Sequence, residues 1–271
     1  MAKQRPIFEL EQELAADWAW IHHAHEESAR RRVGFSTGAL AKGDFERALI
    51  MLSGAEASVL ELSALRAEEL DTLLAALDGL GVEGQFEYVS FHVPSKFGRD
   101  EEARVVEALG QIVRRGWPLI VHPGVLYTPE LWRPFGALLC IENMDSRSTQ
   151  GRTSDELAEV FATYPEATFC LDLGHARQVD PSMVEAYRLL TELRPRLRQI
   201  HLSEVTSACR HARISYAARL SFQSVANLIP EQIPIVLESI VTNASEIGPE
   251  IEAARTALTP ASGRRIAAAA E

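Results

Sequence analysis

Along the chain, short runs rich in β-branched and apolar residues alternate with longer stretches in which apolar residues recur at helical spacing. The short runs lie at 33–37 (VGFST), 57–62 (ASVLEL), 86–92 (FEYVSFH), 118–122 (PLIVH), 138–142 (LLCIE), 168–172 (TFCLD), 198–202 (RQIHL) and 234–238 (PIVLE). Runs of this length and composition predict buried strands, and the helical stretches between them predict the crossovers of a parallel sheet. Helices are expected over 66–79, 100–115, 153–163, 181–193 and 244–257. Thr153 followed by Glu156 forms a capping-box pattern, so the third of these helices should start sharply. Residues 9–32 predict a further amphipathic helix before the first strand, and the tail over 259–271 lacks core-forming residues and should be loosely held.

An open doubly wound sheet would announce itself by a glycine-rich phosphate loop after its first strand. GFSTGALAKG does not match GxGxxG. The expected fold is therefore α/β, a single-domain (β/α)8 TIM barrel over 33–258 with an N-terminal helical extension over 1–32, which a chain of 271 residues can supply.

Composition narrows the partners. With 46% hydrophobic and 24% charged residues the chain reads as an ordinary globular protein. No apolar run approaches the roughly 20 residues of a membrane span, and the first residues lack a signal-peptide core, so no membrane partner and a cytoplasmic location are expected. A formal charge of −11 disfavours nucleic acid, because proteins that grip a phosphate backbone usually present a basic face. Homo-oligomerisation stays open. The three cysteines contain no CxxC pair; Cys140 and Cys170, each two residues before a carboxylate on a predicted strand, read as small core fillers. His22, His23 and His25 read as part of a solvated helix face beside Glu26 and Glu27.

The chemistry sits at the predicted strand ends. His92 ends the third strand, His122 the fourth, Glu142 the fifth, Asp172 the sixth and Glu238 the eighth, with His201 near the end of the seventh. In a barrel the carboxyl ends of all strands converge on one face, so residues far apart in sequence approach one point. Carboxylates mixed with imidazoles suit zinc, manganese, iron or cobalt better than calcium, and a divalent cation offsets the repulsion within such a cluster.

The motifs FHVPSKF, VHPG, IENMD, DLGHARQ, HLSEV and VLES, spanning about residues 33–255, resemble those of the xylose isomerase-like TIM-barrel superfamily, which includes sugar isomerases, 3-epimerases and the endonuclease IV type of DNA-repair enzyme. The resemblance implies a single-metal site at Glu142, Asp172, His201 and Glu238, with Glu142 and Glu238 also acting as the catalytic acid/base pair. The endonuclease IV pattern implies a second metal at His92 and His122 sharing Glu142, and a third at His175 and His211. In that third site the family pattern has Asp-x-His, whereas this chain has Cys209-Arg210-His211. One to three divalent ions per chain are thus implied.

Two carboxylates across a metal-polarised carbonyl can move a proton between carbons, so the first expectation is a metal-dependent isomerase or epimerase of a small sugar or sugar phosphate. The alternatives are endonuclease IV-like phosphodiester hydrolysis and a multinuclear iron oxidase on the same barrel. Lys96, just beyond His92, and Arg177, two residues past His175, are candidate anchors for a substrate phosphate or carboxylate. Glu61, near the end of the second strand, is a candidate for binding a substrate hydroxyl.

Overall fold

A computed structural model describes residues 31–260 of the protein. Eight strands form a closed parallel barrel: β1 (Val33–Ser36), β2 (Val59–Ser63), β3 (Tyr88–His92), β4 (Leu119–Val121), β5 (Leu139–Glu142), β6 (Thr168–Asp172), β7 (Leu197–Leu202) and β8 (Ile235–Leu237). Neighbours in the chain are neighbours in the ring, which β1 closes on β8 through the register Val33 to Ile235. This is the (β/α)8 TIM barrel expected from the alternation. Of the expected extension over 1–32 and tail over 259–271, residues 1–30 and 261–271 lie outside the described residues.

Strand periodicity sorts the side chains into two layers. On β5, Leu139 and Ile141 point outward into the main apolar core beneath the helices, while Cys140 and Glu142 point into the barrel. The same alternation sends Cys170 and Asp172 inward on β6, with Phe169 and Leu171 outward. Cys140 and Cys170 pack with Ile120 in a separate, fully buried apolar cluster, the filler role their spacing suggested.

The helices differ in detail from the periodicity. The stretch expected to be one helix over 100–115 divides at Leu109 into Glu102–Ala108 and Gly110–Arg114. The helix expected from 181 starts at Val184, because the Asp180 carboxylate accepts from Ser182 and Glu185 backbone amides and holds the intervening residues in a turn. The Thr153 hydroxyl accepts from Glu156 N as a cap should, and the Glu156 carboxylate reaches back to Arg152 N. No helix among the described residues is long and apolar enough to cross a membrane.

Candidate metal centre

The inward alternation lifts six side chains to one level at the carboxyl ends of the strands. His92, Glu142 and Asp172 are the last residues of β3, β5 and β6; His122 and Glu238 follow β4 and β8 immediately; His201 is the penultimate residue of β7. Asp172 also caps the helix Leu173–Val179, its Oδ1 accepting from His175 N at 2.6 Å. That cap leaves Oδ2 facing the barrel axis and sets His175 one turn further on. Gly174 permits the arrangement, since a Cβ there would lie 2.5 Å from the Ser203 carbonyl oxygen.

Glu142 is at the middle of the cluster and is addressed from both sides. Its Oε2 faces His92 Nε2 at 3.2 Å and His122 Nε2 at 3.3 Å. Its Oε1 faces His201 Nδ1 at 3.3 Å, and Glu238 Oε2 lies 3.7 Å from the same nitrogen. Three groups of side chains bring ligand atoms within 4.8 Å of one another: His92, His122 and Glu142; Glu142, Asp172, His201 and Glu238; and Asp172, His175 and His211. Separations of 3.2–3.7 Å are those of ligands that share an ion at bond lengths of about 2.0–2.2 Å.

Ring protonation sharpens the fit, with tautomers assigned from hydrogen-bond partners. His92 Nδ1 lies 2.8 Å from the Val93 carbonyl, to which only an N–H can bond, so the neutral ring turns an Nε2 lone pair toward Glu142. His201 Nε2 lies 2.9 Å from Glu61 Oε2 and donates to it, which leaves Nδ1 bare toward Glu142 and Glu238. Glu142 Oε1, Asp172 Oδ2, His201 Nδ1 and Glu238 Oε2 are all buried without a hydrogen-bond partner. Unpaired buried polar atoms are costly, and here four converge with lone pairs facing one another. A divalent cation satisfies all four at once, so the donor set fits a metal.

The same crowding separates the two glutamates. Burial opposes ionisation of Glu142, but His201, His122 and His92 outweigh it and hold its carboxyl well below the ordinary value. For Glu238 burial dominates, and despite His201 the negative charges of Glu142 and Asp172 help push it well above the ordinary value. Burial lowers the pKa of His122 and of His211, whereas at His92, His175 and His201 neighbouring negative charges outweigh burial and raise it, and a cation bound there would displace the extra ring proton.

Three expected substrate contacts are placed differently from one another. Lys96 lines the cavity above the centre. Arg177 does not: its Nε donates to Ser221 Oγ at 3.1 Å and its guanidinium pairs with Glu204 at 3.6 Å. Glu61 does not meet the cavity either, because β2 runs on to Ser63 and leaves it two residues inside the barrel, fully buried. There its Oε2 accepts from Ser90 Oγ and Gln199 Nε2 as well as from His201. Glu61 therefore orients a metal-ligand candidate from below, and the hydroxyl-binding role expected of it is corrected. Such carboxylate–histidine pairs fix the ring and raise its basicity.

Some contributors had little local signal in the sequence. Asn143 clamps Asp172 by accepting from its N at 2.7 Å and donating to its carbonyl at 2.9 Å, and its own carbonyl holds His175 Nδ1 at 2.9 Å. Ser203 Oγ lies 2.8 Å from His211 Nδ1. Cys209, buried in the turn before His211, directs its sulfur at Ser146 Oγ, 3.6 Å away, and is not one of the three ligand groups.

An open cavity of about 660 Å³ lies over the centre. His92, His122, Glu142, His175, His211 and Glu238 line it from the strand ends, and Phe97 and Tyr127 contribute an aromatic wall.

The sequence matches no family model, and no curated protein matches it. Solved structures do match the fold. A D-tagatose 3-epimerase-like protein aligns with a TM-score of 0.59 at 14% identity, over 84% of this chain and 97% of that one. Endonuclease IV from Thermus thermophilus aligns with a TM-score of 0.54 at 17% identity, over 84% of this chain and 98% of its own. A probable 3-DHS dehydratase from Bacillus anthracis gives 0.53 at 12% identity, over 82% and 97%. At such identities the likeness is one of architecture: the chain shares the (β/α)8 barrel fold of these solved structures.

Proposed function

We propose that the protein is a metal-dependent hydrolase of phosphate esters on small molecules, working with two or more divalent cations that share Glu142. The observation that carries this reading is the double engagement of one buried carboxylate, with two imidazole nitrogens at each of its oxygens, His92 and His122 at Oε2 and His201 and His175 at Oε1. Bound divalent cations at such a pair of sites supply Lewis acidity and neutralise charge on the attacked and leaving oxygens of a phosphoester. The chain's own residues do the rest. Val93 O and Glu61 fix the His92 and His201 rings from behind, and Asn143 fixes Asp172. The cavity bounds the substrate, its volume being in the range of small-molecule sites.

The sequence-based expectation, an isomerase or epimerase of a sugar or sugar phosphate, is the second reading. It is favoured by the opposed pKa shifts of Glu142 and Glu238, since a pair of carboxyls held apart in this way is suited to acid and base roles. It ranks second because a shuttling base needs a free oxygen, and both oxygens of Glu142 already face ligand nitrogens.

Elemental analysis of protein purified without added metal should return more than one ion per chain. The same protein should release nitrophenolate from para-nitrophenyl or bis(para-nitrophenyl) phosphate, and Glu142→Gln should abolish it. A single ion per chain, with exchange of a ketose phosphate C–H proton into deuterated solvent and no ester cleavage, would replace the first reading by the second.

A further inference from the structure

We propose that Lys42 and Lys96 form an anion subsite on one side of the cavity, holding a second, non-reacting phosphate of the substrate. The idea deepens the hydrolase reading by naming a substrate class: phosphoesters that carry another phosphate at the far end of a small molecule.

Side chains of the three ligand groups come from β3 to β8 and the segments that follow them, whereas β1 and β2 contribute none. In the ring β2 lies between β1 and β3, and Lys42 follows β1 while Lys96 follows β3. The two lysines therefore flank the metal-poor sector, where the unreacting part of a substrate has room. Of three lysines in the whole chain, two line this one cavity.

Both are exposed, and neither side chain makes a hydrogen bond or ion pair among the described residues. Arg147, the other cation lining the cavity, is already held by Asp145, its Nε donating to Oδ2 at 2.9 Å. In a chain with 38 acidic against 27 basic residues, two lysines without a carboxylate partner at one cavity are suited to an incoming anion.

The backbone shows what placing Lys42 costs. It caps the short helix Thr37–Ala41 in the left-handed region, at φ 56°, where glycine or asparagine is usual. The helix itself is seated on the end of β2: Thr37 Oγ1 accepts from Ser63 N at 2.9 Å, and a Cβ on Gly38 would lie 2.7 Å from Ser63 Oγ. This close seating directs the chain so that Lys42 emerges beside the cavity.

The test uses the metal-loaded protein and ligands that cannot be hydrolysed, short alkane bisphosphonates and the matching alkyl monophosphonates, with affinities measured by calorimetry. The bisphosphonate of best length should bind about 10-fold tighter than its monophosphonate, a ratio in keeping with two exposed ion pairs. Lys42→Gln and Lys96→Gln should each weaken bisphosphonate binding by about threefold, leave monophosphonate binding unchanged, and together erase the preference. Lys42→Arg should restore most of it. A wild type without the preference, or a double variant that keeps it, would overturn the subsite. Loss of the hydrolase reading looks different: no phosphoester is cleaved, yet the bisphosphonate preference and its lysine dependence persist.

Discussion

His201 shows how much of a metal site is decided by one proton. Glu61, 140 residues away in sequence, accepts a hydrogen bond from Nε2–H and thereby turns the opposite lone pair toward Glu142 and Glu238. Replacing Glu61 by Gln keeps the volume but substitutes an amide for the carboxylate that holds the ring. Metal affinity should fall by about 10–100-fold, as is usual when the partner behind a ligand histidine is lost. Competition with a chromophoric chelator measures it, and an unchanged affinity would remove Glu61 from the centre. The shared carboxylate makes a second prediction. His92→Ala takes a ligand from the His92, His122 and Glu142 group and leaves Glu142, Asp172, His201 and Glu238 intact. Metal content should drop by about one ion per chain rather than to zero, as two-ion sites sharing a carboxylate require. Total loss, or no loss, would contradict separate sites joined by Glu142.

Between residues and the barrel stand the caps and close contacts that hold elements in place. The helix Leu173–Val179 starts on Asp172 and approaches Ser203 so closely that only glycine fits at 174. Gly174→Ala should lower stability by about 1–3 kcal/mol through overpacking and also weaken metal binding, because the Asp172 and His175 side chains would shift with the helix. Denaturant unfolding and the chelator assay separate the two effects. A different tie joins the helix Glu102–Ala108 to the segment after β4: the buried Glu102 carboxylate accepts from Thr128 N at 2.9 Å and Trp132 Nε1 at 2.8 Å. Burial works against this charge, yet the two donors outweigh it and keep the carboxyl below its ordinary value. The sign follows from that depression. The stabilisation is complete above the unfolded-state pKa of about 4.3 and fades as pH falls through the lower folded-state value. Glu102→Ala, which leaves both donors unpaired, should cost about 2 kcal/mol or more near neutral pH, with the deficit narrowing in acid. A deficit that stays constant down to acid unfolding would assign the role to packing alone.

At the scale of the molecule, the barrel gathers like charges that repel one another and relies on counter-charge at its mouth. If cations fill the centre, binding them to the folded chain alone adds stability, by about 4 kcal/mol when the free ion is a thousandfold above its dissociation constant. For a domain of this size, treatment with a strong chelator should then lower Tm by on the order of 10 °C. An unmoved Tm would mean that the folded chain tolerates its facing lone pairs unaided. The pattern of the chain alone determined the eight strands to within two residues at each end, the order of crossovers and the ring of His, Asp and Glu at the strand ends. These features were legible because strand periodicity, helix spacing and the residue that ends a strand are properties of near neighbours. It did not determine that Glu61 sits below the site, that Arg177 is spent on Glu204 and Ser221, or that Lys42 joins Lys96 at the cavity. Nor did it show which nitrogen of each histidine is bare. Those outcomes depend on strand register and on contacts between residues far apart in sequence, so only closure of the barrel decides them.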